Sequence, residues 1–277
     1  MSHIFRISIA ATCLSAAVPA AAQGAHDWAL QVDPGTCTLN RTVTEPAPRM
    51  IAIWTRPGTN LNTLVIAGPD MPGLDGSTLI PVTVQFADGK GLVGKAGLFP
   101  VSTQAGRGVA INELGPDFLD AFARTTTISV TIASKTYGPY ALPSAGAAVR
   151  ALRTCVKDQL VEWGADPAQF ARGGATPVSL APNNQLLDRR TLANLAGSAD
   201  AFYVVFRLTV SPDGIVDGCE VIDSKPSDRV RKMGCAALMS KKLFTPAHDA
   251  QGKPVRGVAV FEAGVIRTGN RFRGNGQ

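Results

Sequence analysis

Between Trp28 and Val156, apolar residues recur at alternate positions in short runs divided by Pro and Gly. DWALQV, TCTLNRTV, RMIAIWTR, NTLVIAG and LIPVTVQF are runs of this kind, rich in β-branched and aromatic residues. They predict strands, because a half-buried strand sends successive side chains to opposite faces. At DFLDAFARTT the spacing changes, and Phe118, Leu119 and Phe122 fall on one side of a short helix. TISVTI and YGPYALP return to extended chain. Ser144 then opens a longer helix, SAGAAVRALRTCVKDQLVEWG, with Ser144 as the expected N-cap and Val149, Leu152, Val156 and Leu160 at helical spacing. Residues 23–163 therefore read as one β-rich α+β domain.

Residues 164–198 break the pattern. They are rich in Gly, Pro, Ala and Asn, with few large apolar side chains, which is the composition of a linker. A brief helix is expected at DRRTLANLA. Beyond them, residues 199–277 read as a second, smaller domain. FYVVFRLTV is a strand, SPDG a turn, and IVDGCEVIDS the returning strand of a hairpin. SDRVRKMGCAALMSKK is a helix capped by Ser227 or Asp228, LFTPAHDAQGKPV a loop, and RGVAVFEAGVI a third strand. The predicted fold class is α+β, with a ββαβ unit at the C-terminal end.

Composition adds a compartment. MSHIFRISIAATCLSAAVPAAA has a basic start at Arg6, an apolar stretch and small residues fitting cleavage after Ala22, the layout of a secretory signal peptide. Its apolar run is shorter than the ~20 residues that span a bilayer. Export to the periplasm is the expectation, and membrane attachment follows only if the leader is retained as an anchor. Removing residues 1–22 leaves Cys37, Cys155, Cys219 and Cys235. An even number in an oxidising compartment favours disulfides over metal or redox chemistry. Three pairings are open on count alone; keeping each crosslink inside one domain selects Cys37–Cys155 and Cys219–Cys235.

Charge is uneven. Residues 23–198 carry 14 basic and 13 acidic side chains, whereas residues 199–277 carry 12 and 8. Aromatics make up 6% of the chain, and no basic stripe is interleaved with stacking residues as a single-strand nucleic-acid binder requires. No nucleic-acid partner is expected.

The C-terminal residues resemble a known family, the C-terminal domain of TonB-type energy transducers. The resemblance covers residues 202–270 and rests on the hairpin around SPDGIVDGCEVIDS, the helix after it, LFTPA at 243–247 and QGKPVRGVAVF at 251–261. It is closer to a variant with one cysteine in the second strand and one in the helix, positions matched by Cys219 and Cys235. The family's Tyr-Pro lead-in and long proline-rich spacer are absent. The resemblance implies a ββαβ fold whose exposed strand edge takes a short segment of an outer-membrane receptor as an added strand. The last strand, with alternating Val258, Val260 and Glu262, is the expected edge.

Other motifs carry less. GKGLVGKA at 89–96 nearly fits a phosphate loop, but Gly97 and Pro100 oppose the helix that loop needs, and Ala96 lacks the hydroxyl. Asp88-Gly89 reads as a hairpin turn. His26 and His248 are too scattered to form a metal cluster, and no G-x-S-x-G elbow is present. Asp117 and Asp120 read as a solvated helix face. No catalytic residue, metal or cofactor is assigned. The expectation is an exported, non-enzymatic protein that binds a protein or peptide partner by edge-strand pairing, linked to envelope or TonB-dependent transport. Two alternatives stand beside it: residues 23–163 as a periplasmic hydrolase or inhibitor with the rest as a docking module, and a signal-anchored short energy transducer. Mass spectrometry of the protein from its host decides the anchor question, with an N-terminus at Gln23 as the expected outcome and an intact Met1 as the opposing one.

Overall fold

The computed structural model describes residues 28–43, 48–72, 79–97, 107–181, 185–199, 201–222, 227–268 and 271–274. The expected leader, residues 1–22, lies outside them. The alternating runs form β1 (Ala29–Asp33), β2 (Thr36–Val43), β3 (Arg49–Thr55), β4 (Asn62–Ala67) and β5 (Leu79–Phe86). They are followed by β6 (Gly91–Gly97), β7 (Gly108–Leu114), α1 (Asp117–Arg124), β8 (Thr127–Ile132), β9 (Lys135–Ala141) and α2 (Ala145–Glu162). All nine strands pair antiparallel in the order β1-β2-β3-β4-β7-β6-β5-β8-β9.

One face of this sheet is the main core. Ile53, Leu64, Ile111 and Val130 meet Phe118 and Phe122 of α1, and Val149 and Leu152 of α2 close the cluster. The sheet curls enough to bring its last strand back to its second and third. Arg41 Nη1 donates to the Ala141 carbonyl at 2.7 Å, and Arg49 Nη1 donates to the Tyr140 hydroxyl at 3.2 Å. Burial at this junction pushes the Tyr140 phenol up to about 12, the nearby Arg49 opposing only part of that rise.

Strand β7 was not anticipated from the pattern. Gly108 to Ile111 are buried at four successive positions, because the middle of the sheet is covered on both faces and alternation is lost there. Ala52, Val65 and Ala110 form the second, smaller cluster on the reverse face. Ser144 precedes α2 as expected but does not cap it with its hydroxyl. It sits at φ +57°, and its carbonyl accepts from the Ala147 and Ala148 amides.

The supposed linker is structured. It contains a 3-10 turn (Pro167–Phe170), β10 (Val178–Ser179) and α3 (Arg189–Ala196), capped by the Asp188 carboxylate accepting from the Thr191 amide at 2.8 Å. Leu186, Leu187, Leu192 and Leu195 are buried in the C-terminal core. Gly, Pro and Ala dominate the composition of this stretch, yet these few leucines all join the C-terminal core.

The C-terminal body then runs β11 (Ala201–Val210), β12 (Val216–Val221), α4 (Asp228–Leu238), the short strands β13 (Phe244–Thr245), β14 (Ala247–His248) and β15 (Pro254–Val255), β16 (Gly257–Thr268) and β17 (Arg271–Gly274). Its four-stranded sheet has the order β12-β11-β16-β17, so the chain as a whole is α+β with mostly antiparallel pairing. Ser227 caps α4, its hydroxyl accepting from the Val230 amide at 3.2 Å. Beneath α3 and α4, Phe206 and Phe261 stack with ring centroids 6.0 Å apart. Helix α4 approaches so closely that a Cβ at Gly234 would lie 2.5 Å from the Phe206 ring. Gly234→Ala is therefore expected to destabilise the protein by roughly 1–3 kcal/mol, despite alanine's better helix propensity, as read by chemical denaturation.

Candidate functional site

A sheet whose partners are all in one chain still ends in two outer strands, and an outer strand presents unpaired amides and carbonyls. Strand β11 is central here, paired with β12 on one side and β16 on the other. The face formed by Phe206, Leu208, Phe261 and Ala263 lies in the core with α3 and α4. Arg207, Val258, Val260 and Glu262 project from the reverse face, since alternate residues of a strand point to opposite sides.

The reverse face is not open. Val258 packs with Leu160 and Ala165 from the end of α2 and the turn after it. The Arg207 guanidinium lies 5.1 Å from the Trp163 ring centroid, and the Asp166 amide donates to the Arg256 carbonyl at 2.9 Å. Along the outer side of β16, the Val260 amide donates to the Gly58 carbonyl at 3.0 Å, and Arg56 Nε pairs with Glu262 at 2.7 Å. Further along, β17 pairs with Val265–Thr268. The rim expected at Val258, Val260 and Glu262 is thus engaged by the chain itself: Val258 and Val260 are buried, and Glu262 is in an ion pair. The reason is apolar area. Helices cover one face of the sheet, and the valines on the other face draw the nine-stranded body against it.

Gly58 makes this approach possible. Its φ is +85°, and a Cβ there would lie 2.9 Å from the Val260 nitrogen.

Strand β12 is different. The Ile222 amide donates inward to the Val205 carbonyl at 3.0 Å. By alternation the amides of Gly218 and Glu220 also face β11, and those of Cys219 and Val221 face outward. At the start of the strand the outer side is closed by the chain after α4: the Val216 amide donates to the Lys241 carbonyl at 3.0 Å, and the Ser240 amide to the Val216 carbonyl at 2.8 Å. From Asp217 to Val221, no strand among the described residues pairs with that outer side. The Cys219–Cys235 disulfide ties the strand to α4, with Cα atoms 5.5 Å apart. Cys37 and Cys155 form the second disulfide, joining β2 to α2 at a Cα separation of 6.2 Å.

Sequence reasoning found the second strand's cysteine but not the open edge beside it. The signal was present in the charged, glycine-containing VDGCEV, a short strand bearing two carboxylates, which suits an outer position.

Elsewhere the chemistry is sparse. GKGLVGKA forms the β5–β6 hairpin, with Gly89 at φ +80° in the turn and a strand where a phosphate loop needs a helix. Among the described residues no group of three His, Cys, Asp or Glu side chains could hold a metal. His248 lies in β14, its Nδ1 3.2 Å from the Asp249 carbonyl. A shallow depression of about 520 Å³ beside α2 is lined by residues including Arg41, Arg124, Thr125 and Ser144. Asp120 is held below the usual carboxylate range by its hydrogen bond from Arg153, and Asp188 by the Thr191 amide. Such groups stay ionised, the opposite of a raised general acid. No helix among the described residues is long and apolar enough to cross a membrane. Compared with protein-family models, with curated proteins and with solved structures, the chain matches none.

Gly58→Ala should force the turn at residues 56–59 away from β16. The expected outcome is faster hydrogen exchange at the Val260 amide and a stability loss of about 1 kcal/mol or more, since alanine is strained at positive φ. Unchanged exchange would show that the contact does not protect the rim.

Proposed function

We propose that this chain is an exported, non-enzymatic binding protein that takes an extended segment of a partner protein onto the outer side of β12. The observation that carries this reading is the unpaired run from Asp217 to Val221, with two amides directed outward beside a strand tied to its helix. Backbone pairing of this kind supplies affinity without demanding a particular side chain, and pockets or charges beside the edge supply selectivity. Two disulfides suit an oxidising compartment such as the periplasm.

The order strand, strand, helix, strand in β11, β12, α4 and β16, with its cysteines in β12 and α4, supports kinship with the C-terminal domain of TonB-type transducers. A role in envelope or TonB-dependent transport is the setting this suggests. The docking strand differs from the one that the sequence pattern favoured, because the nine-stranded body engages β16 at Val260 and Glu262. Domain 23–163 then acts as a support for the sheet.

Hydrogen exchange on the full chain tests the reading. With saturating β-prone hexapeptide, the amides of Cys219 and Val221 are expected to gain protection while that of Val260 is unchanged. Val221→Pro removes an outward amide without removing a bond to β11 and should abolish the gain. A hexapeptide N-methylated at every amide, with neither edge able to donate, serves as a control that leaves the protein unaltered. Protection that appears at Val260 instead, or persists with the methylated peptide, rejects docking on β12.

A further inference from the structure

We infer that the open edge of β12 selects an extended segment bearing acidic side chains; this rests on the edge-docking reading and specifies its partner. Helix α4 runs antiparallel to β12, because its N-terminal end follows the strand and the chain after its C-terminal end bonds back to Val216. Basic residues therefore bracket the edge at both ends. Arg231 and Lys232 lie in the first turns of α4, beside the end of the strand at Val221, and both are exposed. Lys241 and Lys242 lie at the other end, also exposed, where the Lys241 carbonyl accepts from Val216 and Lys242 bridges Ile215.

The acidic groups nearby are largely committed. Asp217 is held by both terminal nitrogens of Arg256, at 3.0 and 2.7 Å. Glu220 pairs with Arg207 on the reverse face, and Asp228 pairs with Arg231. Asp213, exposed in the β11–β12 turn, opposes the lysines. Lys232, Lys241 and Lys242 make no ion pair among the described residues. Over residues 207–242, with Asp223 and Lys225 counted from the sequence alone, seven basic side chains face five acidic ones, so the border of the edge keeps a positive balance.

A strand laid along Asp217–Val221 would continue the line of residues 240–242 and pass between these cations. Its backbone would meet the outward amides of Cys219 and Val221, and carboxylates projecting from it would meet the lysines. A second copy of this chain is a poorer fit, since antiparallel β12–β12 pairing would set two basic borders against each other. Opposed like charges suppress such a pairing and favour an acidic visitor.

Two labelled hexapeptides of one design test this on the full chain: Thr-Val-Glu-Val-Glu-Val and its counterpart with lysine at both glutamate positions. Fluorescence anisotropy should show the acidic peptide binding about tenfold more tightly, since exposed charge pairs each contribute modestly. The preference should shrink as salt is raised toward ~0.5 M, where the screening length falls to a few ångströms. The variant K241E/K242E should reverse it while leaving the thermal transition unchanged. Equal affinities, or a preference indifferent to salt and to K241E/K242E, overturn charge selection but leave edge docking standing. Failure of both peptides to bind overturns the docking reading as well. Sedimentation showing dimers blocked by Val221→Pro would assign the edge to a second copy and overturn the proposal.

Discussion

Strand β16 is buried on both faces from Gly257 to Phe261. Ala259, Phe261 and Ala263 lie in the core with α3 and α4, while Val258 packs against Leu160 and Ala165, and Val260 is pinned by the turn at residues 56–59. Apolar burial on both sides is what joins the two bodies, and at about 25 cal/mol per Å² even a few valines favour that arrangement over a solvated one. The polar contacts at the seam, Arg56 with Glu262 and Arg207 over Trp163, set its register more than its strength.

Closing β16 changes what the C-terminal sheet offers. A sheet with both outer strands exposed invites pairing on either side, and natural proteins limit that hazard by covering or shortening edges. Here one side is occupied by Gly58 and β17, and the other is closed at Val216 by residues 240–242. On β12 a five-residue window remains, while β17, the sheet's other outer strand, pairs only with β16 among the described strands. The window on β12 is short, which discourages indiscriminate aggregation, and the Cys219–Cys235 bond holds it against α4.

The disulfides act at different scales. In the chain-entropy account the Cys37–Cys155 bond, closing a separation of 118 residues, contributes about 4–5 kcal/mol, and the Cys219–Cys235 bond, closing 16, about 3 kcal/mol. The first secures the curled sheet to α2, whose far end carries Leu160 and Trp163 into the seam. The second fixes an outer strand that has a neighbour on one side only. One crosslink thus supports the platform, and the other the surface that the platform leaves free.

Much of this was legible from local pattern. Strands β1 to β5, β8 and β9, the helices α1, α2 and α4, the Asp88-Gly89 turn and both cysteine pairings follow from alternation, helical spacing and compartment, which are properties of short stretches and counts. Strand β7 was hidden because a strand covered on both faces loses its alternation. Helix α3 matches the short helix expected at DRRTLANLA, but the docking of 185–196 into the core was hidden because four leucines were diluted among Gly, Ala and Pro. The choice between edges lay beyond any local signal. Val258, Val260 and Glu262 do alternate as an edge strand would, but whether a rim is open depends on which residues from 200 positions earlier reach it. Local sequence determined which residues would be strands; only the packing of one body on the other decided that Gly58 would fill one rim and leave Cys219 and Val221 facing outward.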